Sequence, residues 1–173
     1  MGRTKHHVRV GSYHEEGAHI EGNAMEEFGV FAFLTAAANT TCVAKDTWYP
    51  ISGTFTNNPI EGFETTAGPP AGIVYGGGHC GRYFEIDWHA STNVSFGADT
   101  IKIGVLVNGT IVAASVMTTL VTTAALQMSG TLVVELEGDD VVTLAVQSAQ
   151  DGTVITVTNF TTTICKFFAN PGG

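Results

Sequence analysis

The sequence predicts an all-β protein, a sandwich or jelly roll of about eight to ten short strands. Three observations point there. Apolar and polar residues alternate with period two in stretches such as GRYFEIDWHA, where Phe84, Ile86, Trp88 and Ala90 share one face and Tyr83, Glu85, Asp87 and His89 the other. Turn dipeptides, Asn108-Gly109 and Asp151-Gly152, punctuate the apolar runs. Composition agrees: 21 of 173 residues are Gly, Thr recurs throughout and only 13% are charged, which suits pleated sheets better than helix bundles or unfolded tails. A chain of 173 residues can bury one good core but not two. No repeat of fixed period signals a propeller or solenoid.

Residues 1–27 differ in texture from the rest. Four of the six histidines (His6, His7, His14, His19), the basic triplet Arg3, Lys5 and Arg9, and five glutamates crowd a segment with almost no apolar periodicity. We expect an extended N-terminal arm there, available for a partner to order, ahead of a single domain over 28–173.

The body opens with GVFAFL (29–34) as a first strand. TWYPISGTF (47–55) is a second, with Pro50 at an edge or bulge because proline cannot donate to a ladder. The Gly, Pro and Asn-rich stretch 56–78 reads as long surface loops around a short strand at 73–75. Next come GRYFEIDWHA, a strand carrying Ile101, Ile103, Val105 and Val107, the Asn108-Gly109 hairpin and a return strand over 110–116. Over 118–128, Leu, Ala and Met favour helix and the threonines favour strand or loop; we expect loop and strand.

LVVELEGDDVVTLAVQ (132–147) predicts a β-hairpin. Leu132, Val134 and Leu136 face one way and Val133, Glu135 and Glu137 the other, while Val142, Leu144 and Val146 line one face of the second run. Glu137, Gly138, Asp139 and Asp140 fall at the reversal, where Gly and Asp tolerate positive φ. Strands over 153–158 and 161–168 follow. A lone hairpin does not offset the backbone entropy it loses, so a larger sheet and a second layer are required.

Charge and motif exclude several functions. A net charge of -9 with only seven Lys and Arg leaves no basic stripe for nucleic acid, and no apolar run approaches the ~20 residues of a spanning helix, so we expect no membrane insertion. No apolar core follows the basic residues at the start, as a secretory signal would require, so we expect synthesis in a cytoplasm. Cys42, Cys80 and Cys165 are odd in number and lack C-x-x-C spacing, which predicts free, mostly buried thiols. Without a G-x-S-x-G elbow, P-loop or H-E-x-x-H motif we expect no enzyme, no catalytic residues and no cofactor.

Several polar groups remain candidates. Glu85, Asp87 and His89 share a strand face, with His79 close in sequence, and such a set would bind a divalent metal or pass a proton. The plainer readings are the wetter face of a half-buried strand, or contacts between copies. Asp139 and Asp140, with Glu137, offer hard oxygens suited to calcium, against the turn chemistry above. In GGGHCG (76–81) an imidazolium at His79 would activate Cys80; a flexible turn is the simpler account. Asn57, Asn58, Phe63 and Tyr75 are expected in loops that hold a ligand or receptor.

The carboxy-terminal half, from IKIGVLVNG through MSGTLVVELEGDDVVTLAVQ to VITVTNFTTTICKF, resembles the tumour-necrosis-factor-like (TNF-like) jelly roll, in particular the globular heads of the complement and collagen-associated family. The matching residues are Leu136 to Asp139, Val142, Leu144 and Val146, then Asn159-Phe160 before the last strand. FGVFAFL and GRYFEIDWHAS fall at the places of the first and central strands, so the similarity covers 28–168. Domains of this kind without collagen stalk or signal also occur in bacteriophages as fibre tips or capsid decoration proteins, and this acidic, charge-poor chain looks like those.

The resemblance implies a homotrimer, for which Ile155, Val157, Phe167 and Phe168 offer surplus apolar side chains. It further implies a non-enzymatic virion structural protein, made in a host cytoplasm and anchored to a capsid or other virion protein through residues 1–27. The alternatives are a host receptor or glycan-binding head and, more distantly, a metal-dependent enzyme using Glu85, Asp87 and His89.

Overall fold

Thirteen strands form among the residues that the computed structural model describes, 30–58, 62–66, 70–77 and 82–166. In chain order they are β1 (Val30–Leu34), β2 (Ala38–Cys42), β3 (Tyr49–Pro50), β4 (Phe55–Asn58), β5 (Phe63–Thr65), β6 (Gly72–Tyr75), β7 (Arg82–Val94), β8 (Ala98–Val107), β9 (Thr110–Ile111), β10 (Met117–Thr122), β11 (Leu126–Leu136), β12 (Val141–Ser148) and β13 (Thr153–Lys166). All pairings are antiparallel. The first sheet runs β11-β7-β13-β1-β4, with β2 also on β13; the second runs β10-β8-β12-β6-β5, with β3 on β12 and β9 on β8. No helix among the described residues is long and apolar enough to cross a membrane.

The period-two pattern decides what lies between the sheets. β7 sends Phe84, Ile86, Trp88 and Ala90 inward, as its alternation predicts, against Ile101, Ile103 and Val105 of β8 and Val142, Leu144 and Val146 of β12. Phe55 stacks on Phe160 with ring centroids 5.3 Å apart. β12 is central in its sheet and buried on both faces, since Trp48, Ile111 and Ser115 close over Gly104, its neighbour through Ala145.

Five expectations are corrected. The predicted hairpin LVVELEGDDVVTLAVQ is not one: β11 zips to β7 from Leu126 opposite Thr92 to Leu136 opposite Arg82, whereas β12 pairs with β8, β6 and β3 in the other sheet. The acidic segment is a corner between layers, and Asp139 N–H donates to Tyr75 O at 2.7 Å while Tyr75 N–H donates to Asp140 O at 2.9 Å. The return strand after Asn108-Gly109 stops at Ile111 and gives way to a 3-10 turn, Ala113–Ser115. There a side chain replaces a strand, because Val105 N–H donates to Ser115 Oγ at 2.7 Å and Ser115 Oγ donates to Val112 O at 2.6 Å.

The two predicted last strands are one, β13, with a bulge between Val157 and Asn159. Ile155 and Val157, expected between copies, lie wholly inside the sandwich because they precede the bulge on its inward face. Phe167, Phe168, the segment 1–27, His79 and Cys80 lie outside the described residues. Around 56–78, where loops around a short strand at 73–75 were expected, that strand is β6, and β4 and β5 add further pairing.

Candidate functional site

The outward face of β11, β7 and β13 forms a grid set by register. Along β7, Tyr83 lies opposite Glu135; Glu85 between Val133 and Cys165; Asp87 between Thr131 and Thr163; His89 between Ser129 and Thr161; and Ser91 between Gln127 and Asn159. Glu85, Asp87 and His89 therefore share a face, as alternation predicts. Successive members stand about 6.6 Å apart along the strand, which spreads rather than gathers them. Asp87 accepts a hydrogen bond from the Thr131 hydroxyl. Among the described residues no three His, Cys, Asp or Glu side chains come together in a way that would hold a metal ion.

At the other end of this face the bulge reshapes the surface. Val157 pairs with Thr92 and Asn159 with Ser91, so one residue of β13 is extra. Val157 and Phe160 point in, and Thr158 and Asn159 are both exposed. Thr158 Oγ1 donates to Ser91 O at 3.1 Å. Beside it lies a dent of about 160 Å³ lined by His89, Ala90, Ser91, Gln127, Met128, Ser129 and Asn159. Sequence reasoning finds His89 and misses the other polar members, which come from three strands.

The acidic corner is occupied by its own hydrogen bonds. Asp140 Oδ1 accepts from Asn108 Nδ2 at 2.6 Å, Asp140 Oδ2 accepts from Glu137 N–H at 2.8 Å, and Val141 N–H donates to Asn108 Oδ1 at 2.9 Å. Asp139 is exposed with φ 72°, the left-handed geometry of a turn. Asn57 and Asn58 sit on β4 opposite Ala32 and Phe31. Phe63 and Tyr75 depart from the exposed loop expected of them: they are 5% and 0% exposed. Their rings pack with Phe84, at 5.1 Å between Phe63 and Tyr75 and 4.8 Å between Tyr75 and Phe84. Rings of this size bury too much apolar area to stay in water when a core is adjacent.

Exposed apolar side chains occur at several places. Tyr83, 52% exposed, and Val133, 46% exposed, lie near each other on the grid; Leu120, 63% exposed, stands opposite Thr100 on the outward face of the edge strand β10, whereas Met117 shares the other face with Ile103; and Phe96, Val43 and Leu126 are exposed elsewhere. For Tyr83, Val133 and Leu120 the sequence signal is an apolar residue at an outward position of an alternating strand.

The two described thiols are free and differ in setting. Cys42 is buried, and its pKa is pushed from 9.0 up to about 11, by desolvation first and then by Asp99, against a favourable bond from the Ser148 backbone. Asp99 is itself buried, with Oδ2 accepting from Ser148 Oγ at 2.5 Å and Thr153 Oγ1 at 3.0 Å. Cys165 is exposed, and partial burial of its thiol, then Glu85 and Asp87, raise its pKa. In a Cys80→Ser variant, a maleimide at pH 8 is expected to modify Cys165 alone, with Cys42 reacting only after denaturation; mass spectrometry of the peptides checks this.

Stability should also fall at alkaline pH. Below pH 9 both folded and unfolded chains keep the Cys42 proton; between 9 and about 11 only the folded chain does, so rising pH favours unfolding. Burial raises the Tyr75 pKa as well, with the same sign above 10. Urea midpoints measured across this window should decline in the wild type and decline less in Cys42→Ala.

No protein-family profile and no curated protein matches the chain. Solved structures do. Murine APRIL has a TM-score of 0.50 at 8% identity, covering 80% of this chain and 99% of that one. Eiger, the TNF of S. frugiperda, has 0.49 at 9%, covering 85% and 98%, and the globular domain of zebrafish complement 1qA has 0.39 at 15%, covering 79% and 96%. The likeness to APRIL is one of fold, and with the two sheets described above it makes the described domain a TNF-like jelly roll.

Proposed function

We propose that the chain is a non-enzymatic structural protein of a virion, a homotrimeric capsid decoration or fibre-tip module anchored to a capsid or other virion protein through residues 1–27. The observation that supports the trimer is a pair of unlike apolar places, Tyr83 and Val133 on a sheet face and Leu120 on the outward face of the edge strand β10. A face meeting an edge is a heterologous contact, and such contacts close into rings when the rotation allows. Single exposed apolar residues are ordinary; an adjacent pair on a face together with an exposed leucine on an edge strand is a reason to look for a neighbour.

Light scattering tests this directly. Three copies weigh about 54 kDa against 18.1 kDa for one, and the wild type is expected at the larger mass. Val133→Glu with Leu120→Glu should bring it to the smaller one with little loss of fold, since both side chains are already exposed. A monomeric wild type would overturn the trimer, and absence of the chain from well-covered mass spectra of purified particles would overturn the virion role.

A second reading, a head that binds a host glycan or receptor, is favoured by the polar dent at the β13 bulge. The isolated protein would then block adsorption of particles to cells.

A further inference from the structure

We propose that the dent beside the β13 bulge is a subsite for one neutral sugar ring, held by His89, Ser91, Gln127, Ser129 and Asn159. The inference deepens the glycan-binding reading and rests on it for its biological setting. Its first support is the availability of its polar groups. None of the five lining side chains has a hydrogen bond to another group of the protein among the described residues. Five free donor and acceptor groups thus converge on one concavity.

Chemistry narrows the ligand. The two hydroxyls, two carboxamides and one imidazole can each donate and accept, which matches the mixed donor and acceptor character of sugar hydroxyls. No Lys or Arg lines the dent, and Asp87 is the next outward residue along β7, so an anion is disfavoured. Size narrows it further: about 160 Å³ is below the roughly 300–1,000 Å³ of pockets for drug-sized ligands, which leaves room for a single ring.

The backbone of the platform is also fixed in advance. Its members stand on three hydrogen-bonded strands rather than on loops, so only side chains need ordering on binding. The bulge turns both Thr158 and Asn159 outward, which a regular strand would not do. The dent is also remote from the apolar end of the face, because Tyr83 and Ser91 are roughly 26 Å apart at about 3.3 Å per residue.

Titration of the ¹⁵N-labelled full chain with methyl α-glucoside, methyl β-galactoside and N-acetylglucosamine tests the subsite. At least one probe is expected to give saturable shifts around residues 89–91, 127–129 and 159, with dissociation constants in the millimolar range. Asn159→Ala should weaken binding about ten-fold, the loss of one or two hydrogen bonds, and Asn57→Ala should not change it. Lack of saturable shifts with all three probes, or shifts that persist in a folded His89→Ala, Asn159→Ala double variant, overturns the subsite. Tighter binding of N-acetylneuraminic acid than of any neutral probe overturns the neutral class. Adsorption assays separate this from the broader reading: if wild type and double variant block adsorption equally, the subsite falls and the binding head stands. If sugars bind at the dent and adsorption is unaffected, the subsite stands and the head reading falls.

Discussion

Trp88→Ala is expected to lower the free energy of unfolding by about 3 to 5 kcal/mol, the usual range for removing a fully buried aromatic side chain. Trp88 lies at the centre of β7 with no exposed surface and, with Ile86, Leu144 and Phe160 among others, lines a void of only about 10 Å³, so the core around it is already well filled and truncation leaves a new cavity. The indole also explains a glycine. Gly130 pairs with Trp88 and points inward, and a Cβ there would lie 2.9 Å from indole Cε2, Cζ2 and Nε1. Gly130→Ala should therefore destabilise by about 1 to 3 kcal/mol through overpacking.

The two changes are coupled, which gives a sharper test than either alone. In the Trp88→Ala background the added methyl has room, so Gly130→Ala should cost far less there than in the wild type. Urea unfolding followed by circular dichroism supplies all four stabilities. An equal penalty in both backgrounds would show that Gly130 is needed for its backbone and not for the indole.

Ser115→Ala is expected to cost about 1 to 3 kcal/mol, because it leaves the buried Val105 N–H without an acceptor. The hydroxyl is a substitute for a strand: β9 ends at Ile111 and β10 begins at Met117, and Ser115 Oγ fills the gap in the ladder of β8 between them. Ser115→Thr keeps the oxygen and should lose less. Hydrogen exchange gives the local reading, since the Val105 amide should exchange faster in the alanine variant while amides of the β8 to β12 ladder such as Ile103 keep their relative protection. Unchanged exchange at Val105 would sink this account.

How far the fold was legible depended on whether the information was local. β7 and β8 are visible because large apolar side chains alternate with polar ones, and the Asn108-Gly109 turn because both residues take positive φ, 49° and 78°. β2 alternates just as strictly, with Ala38, Thr40 and Cys42 buried, but small and polar inward residues conceal the pattern. Phe63 and Tyr75 sit among glycines and prolines, so their strands resemble loops until a core closes on them.

For β11 and β12, an apolar face on each run fits a hairpin and a corner between sheets equally well. Only the partner of each strand distinguishes them, and the partners lie far away in sequence. The dent was illegible for a related reason. Its residues come from β7, β11 and β13, and the bulge that shapes it sits in VTVTNFTTT, where threonine suits either face.

The place of β13 bears on how the protein is made. This strand lies between β7 and β1 and carries β2 as well, with Val30 opposite Ile164, yet of the described strands it is made last. After Val94 leaves the ribosome another 72 residues separate it from Lys166, and at about 5 to 20 residues per second that is roughly 4 to 14 s. For that time β1, β2 and β7 lack their central neighbour, with edges and inner faces open to other chains. Folding of this domain accordingly waits for β13, and its yield in a cell should be limited by chaperone capacity and temperature before it is limited by the stability of the finished sandwich.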